Sequence, residues 1–149
     1  MDYSDSVDIA VPCEIAFAAI SDLTSMGKYS PENTGGSWTR GARGPALGAR
    51  FRGTNSNGKI EWTTTVRVTE FHEPSEFAFA VSAFGLKVAT WAYRIEATPT
   101  GCRVTETWTD QRGRIVASQG KKITPDRLGF VKTSIRQTLD SLKDALEAK

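Results

Sequence analysis

Between Thr124 and Ala148, Leu128, Val131, Ile135, Leu139, Leu142 and Leu146 recur at steps of three and four. At the 3.6-residue period of an α-helix these side chains fall on one face. Lys132, Arg136, Asp140, Lys143 and Glu147 fall mostly on the other. Thr124 suits an N-cap, Pro125 the first helical position, and Asp126 the positive end of the helix dipole. The spacing predicts a single helix of about six turns, about 35 Å long. A helix with one apolar stripe must bury that stripe against something. Almost everything before it reads as β-strand, so the expected partner is an antiparallel sheet.

Tyr3–Val11 alternates, with Val7, Ile9 and Val11 on one side, and Pro12 ends this first strand. Cys13–Ser21 carries Ile15, Phe17, Ala18 and Ile20 at spacings that suit a short helix. Asp22–Tyr29 reads as a second short helix or a turn, stopped at Ser30-Pro31 because a residue before proline disfavours helix. Met26 and Tyr29 fall on its inner side. The stretch Asn33–Gly58 is rich in glycine, with Arg40, Arg43, Arg50 and Arg52 interleaved, yet its spacing matches neither GxGxxG nor a Walker loop. It reads as two short strands, around Ser37–Arg40 and Ala49–Thr54, and Asn57-Gly58 marks a hairpin turn. Strands follow at Lys59–Phe71, Glu76–Val81, Lys87–Ala97 and Cys102–Asp110. At period two, Trp62 shares a face with Val66 and Val68, Phe77 with Phe79, Trp91 with Tyr93 and Ile95, and Glu106 with Val104 and Trp108. Gln111–Ile123 reads as a basic connection into the last helix. The order is strand, two short helices, about six strands, long helix. With helices on one face of the sheet this is an α+β fold, and no repeat or linker divides residues 1–149.

Composition excludes several functions. The chain has 149 residues and a net charge of +2, too mild to argue for nucleic acid, and no run of Lys and Arg forms a track. Cys13 and Cys102 lie far apart and form no CxxC pair, so both are expected as free thiols in a reducing compartment. No apolar run reaches bilayer length, and the acidic start Met1–Asp5 lacks a signal-peptide core, so a cytoplasmic protein is expected. His72, the only histidine, falls in a turn beside Glu73 and Pro74. One histidine builds no His-rich metal site, and neither a metal nor a cofactor is expected.

Several stretches carry a family resemblance. They are Ile9-Ala10-Val11-Pro12-Cys13-Glu14-Ile15-Ala16-Phe17 with Ile20-Ser21-Asp22, then Tyr29 through Trp38, Gly44 through Gly53, Phe77-Ala78-Phe79, and Val104-Thr105-Glu106-Thr107-Trp108. Together they resemble the START-like or Bet v 1-like (SRPBCC) superfamily, and more narrowly its actinobacterial polyketide cyclase/dehydrase and lipid-transport members. The resemblance implies a helix-grip fold, in which a strongly curved seven-stranded antiparallel sheet wraps the C-terminal helix and encloses a cavity. Relatives use that cavity for lipids, sterols, polyketides or plant hormones, and some are aromatase/cyclases. Where similar sequences are expected to carry polar His or Asn near the middle of the last helix, this chain has Phe130-Val131-Lys132-Thr133-Ser134. The first half of the helix is therefore expected to serve as an apolar lid.

If the sheet curves around the helix, its aromatic faces become the concave side. The candidate ligand-binding residues are Met26, Tyr29, Trp62, Phe77, Phe79, Trp91, Tyr93, Glu106, Trp108, Phe130 and Ser134. Each aromatic could equally fill the core, since pockets and cores use the same residues. Glu106 is the sharpest feature and the weak catalytic candidate. An inward carboxylate must find a partner or raise its pKa. It could anchor a ligand hydroxyl or carbonyl, pair with Tyr93 or an inward Arg, or turn to solvent. Arg112, Arg114, Lys121, Lys122 and Arg127 read as a solvated rim, or as a surface for transient membrane contact during lipid exchange. The first functional reading is a non-catalytic carrier or sensor of a small hydrophobic molecule. The alternative is a polyketide cyclase, aromatase or dehydratase that works largely by orientation, with Glu106, Tyr93 and Ser134 as its polar groups. A third is an interaction module with a filled core. Monomer and homodimer both remain open.

Overall fold

The alternating segments join into one seven-stranded antiparallel sheet, and the amphipathic segment forms a single helix laid over it. The computed structural model describes residues 2–122 and 124–148. In chain order the elements are β1 (Asp2–Ile9), α1 (Cys13–Ser21), a 3-10 helix (Leu23–Lys28), β2 (Asn33–Thr39), β3 (Arg50–Ser56), β4 (Glu61–His72), β5 (Glu76–Ala83), β6 (Leu86–Thr98), β7 (Gly101–Asp110), α2 (Arg114–Gly120) and α3 (Arg127–Glu147). The strand order is β1-β7-β6-β5-β4-β3-β2. The chain starts at one edge, crosses to the other through α1 and the 3-10 helix, and returns strand by strand until β7 pairs with β1.

Register breaks bend the sheet. They fall between Asn33 and Gly35, Val68 and Glu70, and Val81 and Ser82. An extra residue in one strand kinks it and increases its twist. The break in β4 also shifts the phase of its side chains. Strict alternation sends Phe71 outward with Arg67 and Thr69. With Thr69 inserted, Phe71 turns inward and meets Phe17 and Phe77 edge-on, at ring-centroid distances of 5.3 and 6.3 Å. On β2, Gly36 has φ +143°, and a Cβ there would run into the Phe51 ring and the Arg52 carbonyl oxygen. That bare backbone lets Phe51 lie against Trp38, with ring centroids 5.2 Å apart.

Val131, Ile135, Leu139, Leu142 and Leu146 of α3 are buried in one core with Ile9, Phe17, Phe51, Phe77, Val104 and Trp108. Ser134 and Thr138 widen the buried face, while Leu128 is only half-buried. The helix starts later than its spacing predicts. Asp126, not Thr124, is the N-cap, and its carboxylate accepts the Gly129 N–H at 3.0 Å. A carboxylate both caps and complements the helix dipole, so it displaces the threonine. Against β1, Arg136 pairs with Asp5 at 3.0 Å, Lys143 donates to the Asp8 carbonyl, and the Ala10 N–H donates to Glu147. The basic connection expected at Gln111–Ile123 holds a seven-residue helix, α2, none of whose residues is buried. Ile123, the end of that connection, lies outside the described residues. Cys13 and Cys102 are free thiols brought side by side, and burial, with Cys13 next in effect, pushes the Cys102 thiol up to about 11. No helix among the described residues is long and apolar enough to cross a membrane.

The contact between α3 and the sheet gives a direct expectation. Leu139 is 0% exposed, so Leu139→Ala should destabilise the fold by about 2–5 kcal/mol in urea denaturation. Gln137→Ala on the exposed face should stay within about 0.5 kcal/mol of wild type. Equal effects at both positions would contradict this packing.

Candidate functional site

Strands β6 and β7 pair so that Tyr93 faces Glu106 and Trp91 faces Trp108. Directly paired residues project from the same face of a sheet. Here that face is the concave one, and Glu106 and Tyr93 are only 3% and 4% exposed. The Tyr93 hydroxyl donates to Glu106 Oε2 at 2.8 Å. Glu106 Oε1 and Trp108 Nε1 are buried with no hydrogen-bond partner among the described residues.

Burial pushes the Glu106 carboxyl up to about 8, against the Tyr93 hydrogen bond, which pulls it down. Loss of hydration dominates because one neutral donor compensates little of the cost of a buried charge. At neutral pH Glu106 is therefore mainly the neutral acid. Since Oε2 receives the Tyr93 proton, the acid's own proton belongs on Oε1, which becomes a donor without a protein acceptor. The Tyr93 phenol is itself driven well above its ordinary value, first by burial and then by Glu106.

These groups border a narrow pocket of about 90 Å³ between sheet and helix. At about 30 Å³ per water that is room for about three waters or one polar headgroup. Trp62, Phe79, Trp91, Tyr93 and Glu106 line it from the sheet, Met26 from the 3-10 helix, and Ser134 and Thr138 from α3. Near the start of α3, Arg127 grips Glu32 through two hydrogen bonds of 2.6 and 3.0 Å. Such a bidentate pair is geometrically stringent as well as strong. It ties the chain entering β2 to α3 and contributes both side chains to the pocket wall. A wider groove of about 370 Å³ shares Trp62, Thr64, Val88 and Arg127 with the pocket, and continues past Phe84 and Leu86 to Ile115 and Val116 of α2.

Of the candidates read from the sequence, Met26, Trp62, Phe79, Trp91, Tyr93, Glu106 and Ser134 come together here. Tyr29, Phe77, Trp108 and Phe130 lie outside the lining. Phe77 is enclosed by Phe17, Phe71 and Phe79, with its ring centroid 5.7 Å from that of Phe79. Trp108 is packed into the core at 1% exposure, and Tyr29 is half-buried at the core's margin. Phe130 precedes the buried Val131, and Arg127 stacks over its ring at 5.6 Å. The first half of α3 is therefore not an apolar lid, because it presents Arg127 and Ser134 to the pocket. Nor do Arg112 and Arg127 belong to a solvated rim, since Asp110 and Glu32 pair with them. The Glu32–Arg127 clamp escapes sequence reading because its partners lie 95 residues apart. Its one local signal is a carboxylate directly after Pro31. His72 is exposed and 3.0 Å from Glu70, with Glu76 close by, on a surface away from the pocket.

The arrangement offers a buried donor for a ligand oxygen, two hydroxyls on α3 and an aromatic wall. The described lining contains no histidine or cysteine. The family model for polyketide cyclase / dehydrase and lipid transport matches residues 1–147. Among curated proteins none matches. A Polyketide_cyc-like protein, Cgl2372 of Corynebacterium glutamicum, shares 26% identity over 98% of this chain and 91% of its own, with a TM-score of 0.66. Protein NE0264 of Nitrosomonas europaea has the same fold at 14% identity, covering 99% and 95%, with a TM-score of 0.73. So does the di-domain ARO/CYC StfQ of the steffimycin biosynthetic pathway, at 12% identity, 96% of this chain and 49% of that one, with a TM-score of 0.72.

Glu106 should leave a signature in stability against pH. Its carboxyl moves from an ordinary 4.5 to about 8 on folding. Between those values the folded chain holds a proton that the unfolded chain has released, so stability falls as pH rises through that window. The loss should reach the order of a few kcal/mol by about pH 8. Glu106→Gln keeps the shape and removes the titration. Melting curves from about pH 5 to about pH 9 should show wild type losing ground to the variant as pH rises. Parallel curves would mean that Glu106 is not held as a buried neutral acid.

Proposed function

The chain belongs to the polyketide cyclase/dehydrase and lipid-transport family, and we propose that it binds a small hydrophobic molecule carrying a polar oxygen, as a carrier or sensor. One observation carries this reading: Glu106 Oε1, buried beside the pocket without a partner. An unsatisfied buried polar group costs about 1–3 kcal/mol, and a ligand carbonyl, carboxyl or hydroxyl oxygen would remove that cost. The inner pocket accepts only a headgroup. The adjoining groove supplies apolar walls at Val88, Leu86 and Ile115 for a longer tail, which would pass between Trp62 and Arg127. An elongated molecule with one polar end suits both spaces.

A second reading is a polyketide cyclase or dehydratase working in the same pocket. What favours it is the Glu106 carboxyl at about 8, close enough to neutrality to give or take a proton. Tyr93 and Ser134 would then help to orient the substrate.

Native mass spectrometry of protein purified from its own host tests both readings. Wild type should retain a small-molecule adduct, and Glu106→Leu should lower its occupancy roughly tenfold through the lost hydrogen bond. Loss of the mass of one water from the adduct during incubation, in wild type but not in Glu106→Gln, would favour the dehydratase. Protein that emerges empty and also binds no long-chain fatty acid, alcohol or ketone would refute ligand binding.

A further inference from the structure

The hairpin between β5 and β6 closes through the two-residue turn Phe84-Gly85, with Ala83 facing Leu86 across it. Both turn residues have positive φ, 53° at Phe84 and 75° at Gly85. A two-residue turn of this kind favours Asn, Asp or Gly at its first position, because a bulky side chain is strained there. Phe84 is also fully exposed, at 102%. Its ring therefore gains no packing that would offset the strain, and the fold supplies no reason for an aromatic residue at this point. A local rule broken without structural compensation is where function should be sought.

Other apolar side chains gather beside it. Leu86 is 51% exposed and Ile115, on α2, is 77% exposed. Both line the same groove as Phe84. The unpaired charges at the start of β6, on α2 and on the two residues after it are positive. Lys87, Arg114, Lys121 and Lys122 are exposed, and none has an acidic partner within ion-pair distance among the described residues. The segment 111–122 contains no acidic residue at all. Lys87 and Arg114 border the same surface depression as Leu86 and Ile115.

Apolar tips ringed by unpaired cations are the combination that holds proteins at the surface of an anionic bilayer. A second copy of this chain would meet the patch with like charge, which disfavours self-association through this face. We propose that this end of the molecule docks on an anionic lipid bilayer. Phe84, Leu86 and Ile115 enter the headgroup layer, and Lys87, Arg114, Lys121 and Lys122 meet the lipid phosphates. Docking in this orientation sets the mouth of the groove against the lipid, so that a hydrophobic molecule could pass toward Glu106 without crossing water. That last step rests on the proposed ligand binding, whereas docking itself does not.

Co-sedimentation with vesicles tests the proposal. Wild type should bind vesicles of phosphatidylcholine and phosphatidylglycerol, and bind phosphatidylcholine alone far less. Phe84→Asn suits the turn and should fold at least as stably, yet weaken binding roughly tenfold. The double variant Lys121→Gln, Lys122→Gln should bind less tightly and lose part of the salt sensitivity. Glu106→Leu should bind vesicles as wild type does, so that a failure of docking and a failure of ligand binding appear separately. Wild type that ignores anionic vesicles, or binding undiminished in Phe84→Asn, would overturn the proposal. So would a concentration-dependent dimer that Phe84→Asn abolishes, because it would assign the face to a second copy.

Discussion

Burial of the α3 stripe against the concave side of the sheet holds the rest of the structure in place. Val131, Ile135 and Leu139 are each 0% exposed, and Leu142 and Leu146 nearly so. Each such side chain contributes about 1.5–3 kcal/mol through removal from water. Without the helix, the inward rows of the sheet would present one continuous apolar face to solvent. Arg136, Lys143 and Glu147 also tie α3 to the edge strand β1 and to Ala10 just beyond it. The same helix carries Ser134 and Thr138 on its buried face. The element that closes the core thus also closes the pocket.

Against that packing, Glu106 and Phe84 stand out for the same reason. Stability alone favours an apolar residue at 106 and Asn or Gly at 84. Each departs from what its surroundings ask of it. They also lie along one path, Glu106 in the wall of the inner pocket and Phe84 at the outer groove, joined by the shared walls Trp62, Thr64, Val88 and Arg127. Arg127, held by Glu32 through two hydrogen bonds, lines both pocket and groove.

The strands were legible because period-two alternation reports a half-buried sheet wherever the pleat is regular. Reading failed where that regularity breaks. Phe71 changes face because Thr69 is inserted by a bulge, and nothing in the local pattern marks the insertion. Helix α2 escaped notice for a different reason. It buries no residue, so it has no apolar stripe to betray it. The start of α3 lies a few residues later than the spacing predicts because Thr124 and Asp126 are both good caps, and only the Asp126 carboxylate also complements the helix dipole.

By itself the sequence determined the sheet, the long helix, and the inward direction of Glu106 and Tyr93, because these follow from periods of two and 3.6 that each segment carries alone. Only the tertiary structure decided which inward residues border a hollow. Phe79 and Trp91 border it, whereas Phe77 and Trp108 are enclosed, although all share faces with the same kinds of neighbour. Pockets and cores draw on one set of apolar side chains, and the difference between them is set by sheet curvature and by the distance of the helix. It took the tertiary structure, too, to bring Glu32 to Arg127 and to leave Phe84 unpacked, since local sequence carries no record of what lies across the fold.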